Sequence, residues 1–106
     1  MDKKTIMLVC NAGMSTSLLV TKMQEAAKEQ NINAEIFAKS ANEANDVFEK
    51  KDIDVLLLGP QVRYLKDQFE KKLSGKDIPV EVIDMQDYGM VKGGKVLQTA
   101  IDLSNE

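Results

Sequence analysis

Cys10 is the residue of this chain best placed to do chemistry, because a segment of small and hydroxyl-bearing residues follows it directly. The stretch that begins at Cys10 reads CNAGMSTSLL and contains the only cysteine. Gly13 permits backbone conformations that other residues resist, and the small neighbours Asn11 and Ala12 let successive N–H groups converge on an anion. Met14 stands at the tip, and hydroxyl donors follow it at Ser15, Thr16 and Ser17. Residues 10–17 therefore predict a phosphoryl-binding loop with a thiol at its mouth.

A helical pattern begins near Ser17, so we expect the positive end of a helix to strengthen this site. The same electrostatic field favours thiolate over thiol, which would make Cys10 a nucleophile. Two simpler interpretations stay open at this point. A cysteine at the end of a buried strand is often only a small hydrophobic residue, and a Ser/Thr cluster before a helix is often only its cap.

Length and composition predict one compact globular domain that spans residues 1–106. A chain of 106 residues has room for a single core, and 43% hydrophobic and 29% charged residues are ordinary proportions. The net charge of -3 gives no reason to expect nucleic acid or an anionic membrane as a partner. We expect a monomer.

The shortage of cysteine and histidine excludes two kinds of stabilising site. One cysteine cannot form a disulfide within the chain, and without any histidine it cannot hold a structural zinc ion. No signal peptide is visible, and no segment approaches the roughly 20 apolar residues of a membrane span. We therefore expect a reduced, cytoplasmic protein that needs no metal or cofactor.

Apolar patterning predicts a fold in which strands and helices alternate. Apolar runs at residues 5–9, 34–38, 54–58 and 80–83 predict four strands, the first and third buried on both faces and the other two at edges. Apolar stripes between and after these runs predict four helices, and the last of them should start after Gly93-Gly94. In chain order, the apolar faces of these helices comprise Leu18, Leu19, Met23, Ala26 and Ala27; Ala41, Ala44, Val47 and Phe48; Val62, Leu65, Phe69 and Leu73; and Val96, Leu97, Ala100, Ile101 and Leu103. This order predicts an α/β fold, a doubly wound parallel sheet of order 2-1-3-4 with helices on both faces.

In such a sheet ligands bind beyond the carboxyl ends of the strands, at the switch in strand order. With the order 2-1-3-4 the switch lies between the first and third strands, so residues 10–16 and 59–61 should meet there. Gln61 and Tyr64 should lie beside the loop, where they either line the site or contact a partner protein; packing of Tyr64 against the core is an equally good expectation. Tyr88 is equally ambiguous.

Low-molecular-weight tyrosine phosphatases and thioredoxin-linked arsenate reductases have a similar strand, cysteine, loop and helix. They carry an arginine six residues after the cysteine, where this chain has Thr16. Arg63, the only arginine, is expected to be a solvated helix residue. Asp84 or Asp87 could act as the acid for a leaving group, although a role as a turn residue is the simpler expectation for both. The loop is therefore better suited to holding a phosphocysteine than to hydrolysing it.

Three stretches together resemble a known family. CNAGMSTSLLV, DVLLLGPQVRYL and PVEVID followed by YG resemble the IIB component of the bacterial phosphoenolpyruvate-dependent sugar phosphotransferase system, of the lactose/cellobiose/chitobiose type. The resemblance runs from Lys4 to about Leu103 and is strongest to free-standing cellobiose or chitobiose IIB proteins. It implies a fold similar to that of low-molecular-weight tyrosine phosphatases.

The resemblance also implies a function, a site and two partners. In this family the cysteine accepts a phosphoryl group from a phosphohistidine of the IIA protein and passes it to a disaccharide bound by the IIC membrane permease. Carried onto this chain, Cys10 is the phosphorylated residue, and Asn11, Ala12, Gly13, Met14, Ser15, Thr16 and Ser17 form the loop that holds the phosphoryl group. Met14 either contacts IIA or packs back on the core. A cysteine phosphatase or arsenate reductase and a non-enzymatic anion-binding module remain as alternatives.

Overall fold

The computed structural model describes residues 3–10 and 14–105, with the backbone alone for Met14 and Ser15. Its centre is a parallel sheet of four strands in the order β2-β1-β3-β4. The strands are β1 (Lys4–Cys10), β2 (Ala34–Ser40), β3 (Val55–Leu58) and β4 (Val80–Val82). The predicted strand order is confirmed, with the two strands of continuous apolar sequence at the centre and buried.

Helices cover both faces of the sheet, as the alternation of patterns predicts. They are α1 (Met14–Glu29), α2 (Ala41–Lys50), α3 (Lys66–Lys72), α4 (Met85–Gly89) and α5 (Gly93–Ser104), with 3-10 helices at Pro60–Leu65 and Ser74–Lys76. Among the described residues, no helix is both long and apolar enough to cross a membrane.

The core has two halves because successive side chains of each central strand point to opposite faces. Ile6 and Leu8 of β1 pack with α1, α4 and α5, through residues such as Leu19 and Leu97. Met7 and Val9 face the other way and pack with α2, α3 and the 3-10 helix Pro60–Leu65. We refer to these halves as the α1/α4/α5 layer and the α2/α3 layer.

Four details of the helices differ from the sequence-based expectation. Helix α1 begins at Met14 and not near Ser17, so the hydroxyl residues expected to cap it lie within its first turn. Leu18 does not face the core and is half-exposed. The third apolar stripe is divided between α3 and the 3-10 helix Pro60–Leu65, which is itself kinked at Val62. Helix α5 includes Gly93 instead of beginning after Gly93-Gly94.

Helix α4 is an addition, since a turn was expected there. Asp84 is its N-cap, and its carboxylate accepts hydrogen bonds from the backbone N–H groups of Gln86 and Asp87. An aspartate that caps a helix and one that initiates a turn use the same local hydrogen bonds, which is why the pattern does not separate them.

Candidate functional site

Cys10 is the last residue of β1 and lies at the carboxyl edge of the sheet, where the strand order switches. It stands opposite Ser40 of β2, and only 5% of its surface is exposed. On the other side, the N–H of Gly59 donates to the carbonyl of Val9 over 2.9 Å, so the segment after β3 is tied to the end of β1. The two segments expected to form the site therefore meet at Cys10.

The first turn of α1 begins four residues after Cys10 and contributes the positive end of a helix dipole to this edge. The first N–H groups of a helix have no partner within it, and they carry the positive end of its dipole. No acidic side chain in that turn offsets this charge. The arrangement suits a negatively charged group attached to the Cys10 sulfur.

An open cleft of about 620 Å³ adjoins Cys10 on the side of the α2/α3 layer. Its walls are mainly uncharged and polar, and Tyr64 at its edge is 71% exposed. The lining residues besides Cys10 are Ser40, Ala41, Asn42, Asn45, Tyr64, Leu65, Gln68 and Phe69. Tyr64 therefore lines the site and is not packed in the core.

A smaller space of about 180 Å³ lies between Cys10, the first turn of α1 and the end of β2, and Glu43 also lines it. The Glu43 carboxylate accepts hydrogen bonds from the Ser40 hydroxyl at 3.0 Å and from the Ser40 N–H at 3.3 Å. The hydroxyl bond first, and then the backbone bond, lower the pKa of Glu43 below its usual range.

The side of the site that faces the α1/α4/α5 layer is closed. Thr16 is 2% exposed, and its hydroxyl is hydrogen-bonded to the hydroxyl of Tyr88 over 2.7 Å. A Cβ placed on Gly59 would lie 3.5 Å from Cys10 Cβ and 3.7 Å from Tyr88 Cε2. Gly59 therefore lies close to both Cys10 and the Tyr88 ring.

The predicted loop residues differ in what the structure says of them. Asn11, Ala12 and Gly13 lie outside the described residues, and so do the side chains of Met14 and Ser15. Thr16 and Ser17 both border the smaller space beside Cys10, Thr16 buried and Ser17 exposed.

The candidate acids and the single arginine have other surroundings. Asp84 caps α4, and the buried Asp87 forms an ion pair with Lys95 at 3.2 Å. Arg63 is exposed on the 3-10 helix, as expected, and it is not among the described residues that line either space beside Cys10. Gln61 lies nearer, with its side-chain oxygen 3.0 Å from the position of a Gly59 Cβ.

Sequence reasoning missed the polar residues that the end of β2, α2 and α3 contribute to the cleft, namely Ser40, Asn42, Asn45 and Gln68. One signal was available for Ser40 and Asn42. They follow the second strand directly, and the carboxyl ends of parallel strands share one edge of the sheet. Residues 3–10 and 14–105 contain no group of three or more Cys, Asp or Glu side chains arranged to hold a metal ion.

Comparison with known proteins identifies the family of this chain. The sequence profile of the PTS system, Lactose/Cellobiose specific IIB subunit, matches residues 5–99. The chain is 50% identical to the PTS system galactose-specific EIIB component of Lactococcus lactis subsp. cremoris (strain MG1363), over 99% of this chain and 100% of that one. It is 49% identical to the cellobiose-specific EIIB component of Lactococcus lactis subsp. lactis (strain IL1403), with the same coverage.

A solved structure leads to the same family. The solution structure of the cellobiose-specific phosphotransferase IIB component protein from Borrelia burgdorferi matches with a TM-score of 0.79 and 44% sequence identity, over 98% of this chain and 94% of that one. Profile, sequence relatives and fold agree, and the resemblance predicted from the three sequence stretches is confirmed. The chain belongs to the lactose/cellobiose-specific IIB family of the phosphotransferase system.

Proposed function

We propose that this protein is a phosphoryl carrier in which Cys10 accepts a phosphoryl group from a phosphohistidine of IIA. It then passes the group to a β-linked disaccharide, of the cellobiose or chitobiose type, bound by the IIC permease on the cytoplasmic side of the membrane. The observation that carries the proposal is the position of Cys10 at the strand-order switch, between an open cleft and the first turn of α1. No cofactor is needed.

Each transfer exchanges one bond to phosphorus for another. In the first, the Cys10 thiolate attacks the phosphorus in line with the P–N bond, the S–P bond forms, and the bonding electrons return to the imidazole nitrogen. In the second, a sugar hydroxyl oxygen attacks the same phosphorus, the S–P bond breaks, and Cys10 leaves as thiolate while the hydroxyl proton is taken up by a base. Charge on the three equatorial oxygens must be stabilised in both steps.

The chain's own contribution is to place the sulfur and to bind those oxygens. We assign the binding to the loop of Asn11, Ala12, Gly13, Met14, Ser15, Thr16 and Ser17, through backbone N–H groups and the hydroxyls of Ser15, Thr16 and Ser17. The first turn of α1 supports this assignment because it carries positive dipole charge without an acidic side chain of its own.

The open cleft is the approach that we assign to both partners. With 5% of Cys10 exposed, a donor histidine has to enter a space beside the sulfur, and the cleft is the larger of the two described spaces that Cys10 lines. Polar but uncharged walls suit a surface that binds IIA and IIC in turn, because they favour neither with a strong field of one sign. We expect both contacts to be transient and modest in area.

Our proposal for the type of sugar rests on the family resemblance of the sequence and not on the percentage of sequence identity to individual relatives. Relatives named for galactose and for cellobiose are 50% and 49% identical to this chain, so identity does not choose between them. A relative named for oligo-beta-mannoside is 45% identical over 94% of this chain. Our proposal of a β-linked disaccharide is tested by supplying candidate sugars with the cognate IIC and measuring which one discharges the phosphoprotein.

The deciding experiment is an intact-mass measurement after incubation with phosphoenolpyruvate, the two general phosphotransferase proteins and the cognate IIA. We expect a gain of one phosphoryl group, roughly 80 Da, that is absent in Cys10→Ser. Hydrolysis of p-nitrophenyl phosphate without such a gain would favour a phosphatase instead. If the IIA is itself phosphorylated and neither the mass gain nor the hydrolysis is observed, the carrier proposal is contradicted.

A further inference from the structure

We propose that Tyr88 is a positioning residue for the phosphoryl group on Cys10 and acts through Thr16. In this arrangement the Tyr88 hydroxyl donates to Thr16 Oγ1, and the Thr16 hydroxyl uses its own proton to donate to a phosphoryl oxygen. The inference rests on the proposed function, because it needs a phosphoryl group beside Cys10. It assigns a role to a side chain that lies outside the loop of residues 10–17.

The geometry that supports this is a buried contact between two elements of the site. Thr16 is in the first turn of α1 and Tyr88 is in α4, and their hydroxyl oxygens are 2.7 Å apart with both residues buried. Thr16 also borders the smaller space that Cys10 opens into. Because Cys10 and Thr16 line the same space, a group on the sulfur that extends into it would come near Thr16, whose hydroxyl is bonded to Tyr88.

The chemistry of the two hydroxyls favours one direction for the bond. Either atom can be the donor, but a phenol is the more acidic hydroxyl and the stronger donor. A hydroxyl has one proton and two acceptor positions, so Thr16 can accept from Tyr88 and donate elsewhere at the same time. A dianionic phosphoryl group at the end of this chain would strengthen both bonds, because linked hydrogen bonds polarise one another in a buried setting.

Helix α4 is fixed in place at both ends, which is what a positioning element needs. Asp84 caps its start, and the Lys92 N–H donates to the Asp87 carbonyl after its end over 2.9 Å. The buried Asp87 carboxylate also pairs with Lys95 of α5 at 3.2 Å. The Tyr88 hydroxyl is therefore held by more than the packing of its ring.

The turn after α4 carries backbone strain, which also supports a functional role for this part of the chain. Val91 has a φ of 53°, which is a conformation that β-branched residues rarely adopt. Its N–H donates to the Tyr88 carbonyl over 3.2 Å. Such strain persists only where the surrounding structure determines it, and it concentrates at functional sites.

The test measures single-turnover phosphoryl transfer from phosphorylated IIA to Cys10 by rapid quench and intact mass. The variants are Tyr88→Phe, Thr16→Val, the double variant, Thr16→Ser as the conservative rescue, and Thr99→Val as a control on the exposed face of α5. Circular dichroism and urea unfolding establish that each variant is folded under the conditions of the assay.

We expect the transfer rate constant at saturating IIA to fall roughly tenfold in Tyr88→Phe and about a hundredfold in Thr16→Val, since loss of an oriented donor to a transferring group is costly. The half-saturating concentration of IIA should not change, because neither hydroxyl is on the open surface. If Tyr88 acts through Thr16, the double variant is no slower than Thr16→Val, and Thr16→Ser stays within about threefold of wild type.

A rate constant in folded Tyr88→Phe equal to that of wild type would overturn the inference and leave Tyr88 a purely structural residue. A double variant slower by the product of the single effects would also overturn it, because the two hydroxyls would then act independently. Failure of the wild-type protein to take up a phosphoryl group from phosphorylated IIA would instead overturn the proposed function and this inference together.

Discussion

The two helical layers on either side of the sheet contribute to the Cys10 site in opposite ways. The α1/α4/α5 layer closes its side with a buried hydrogen bond between Thr16 and Tyr88. The α2/α3 layer leaves its side open as a cleft of about 620 Å³. The two tyrosines of the chain show the contrast, since Tyr88 is 8% exposed and Tyr64 is 71% exposed.

This difference separates two requirements of a carrier. The sulfur and the group that it carries must be held in a fixed position, and the closed layer can do this because its polar atoms are paired and its packing is tight. Two different partners must also reach the sulfur in turn, which needs an accessible surface that is not itself part of the core. Changes to the side chains that close the site should therefore alter stability and site geometry, whereas changes to the exposed residues of the cleft should have small effects on stability.

The largest effect on stability is expected where the closed layer is packed most tightly, between α1 and α5. A Cβ on Gly93 would lie 2.5 Å from the backbone carbonyl carbon of Lys22 and 2.7 Å from the backbone nitrogen of Met23. Backbone atoms cannot move aside as a flexible side chain can, so Gly93→Ala must push the helices apart. We expect a loss of about 2–3 kcal/mol in the free energy of unfolding, measured with urea.

The neighbouring glycine provides a matched control. A Cβ on Gly94 would meet only Ala26 Cβ, at an ordinary contact distance of 3.9 Å. Gly94→Ala should therefore be neutral or stabilise by up to about 1 kcal/mol, through the higher helix propensity of alanine. Equal losses of unfolding free energy in the two variants would show that helix α5 tolerates no side chain at its start. The loss in Gly93→Ala would then not be evidence for tight packing between α1 and α5 in the closed layer.

The two tyrosines allow the contrast to be tested with one atom removed on each side. Tyr88→Phe leaves the buried Thr16 hydroxyl without its partner, so we expect a loss of about 1–2 kcal/mol in the free energy of unfolding. Tyr64→Phe removes the same atom from an exposed ring, and its unfolding free energy should change by less than about 0.5 kcal/mol. Similar losses in both variants would contradict the division into a closed and an open layer.

A smaller effect is expected from the cap that starts α4. Asp84→Ala removes the carboxylate that accepts from the N–H groups of Gln86 and Asp87, and should cost about 1 kcal/mol. Asp84→Asn keeps an oxygen that can accept the same bonds and should retain most of the stability. If both substitutions were neutral, the contacts of Asp87 and Lys92 would be sufficient to hold α4, and the cap would add nothing to the position of Tyr88.

Much of the fold was predictable because it follows from repeated patterns. The central strands β1 and β3 are continuous apolar runs, and strands buried on both faces need such runs. The strand order then places Cys10 at the switch without any knowledge of side-chain contacts. The family was predictable for a different reason, because three separate stretches matched it together.

The contacts that define the two walls of the site were not predictable, because they depend on tertiary structure. Thr16 and Tyr88 are 72 positions apart, and nothing in the local sequence of either indicates the other. The division of the third helical stripe into a 3-10 helix and α3, and the kink at Val62, depend on backbone geometry that an apolar spacing does not encode. Leu18 fits the helical period but is half-exposed, because a stripe drawn from spacing is wider than the face that α1 buries.

The smallest effect is expected at an ion-pair cluster on the open layer's side of the edge strand β2. The Glu35 carboxylate accepts hydrogen bonds from Lys51 and from Lys3, the latter at 3.0 Å. These two bonds, that of Lys51 first, lower the pKa of Glu35 below its ordinary value of 4.5. Because the pairs are partly exposed, Glu35→Gln should cost only about 0.5 kcal/mol at pH 7.

The pH dependence of that cost gives a sharper test than its size. A carboxylate whose pKa is lower in the folded state than in the unfolded state contributes its full stabilisation above the unfolded value. It loses this contribution as the pH falls from there through the folded value. The difference in unfolding free energy between wild type and Glu35→Gln should therefore shrink below about pH 4.5, and also at 1 M salt.

Glu70→Gln, at an exposed position of α3, is the control. A difference that stays constant with pH and salt would mean that Glu35 stabilises the protein through packing and not through charge. The stability of the open layer would then depend less on solvent-exposed ion pairs than we propose.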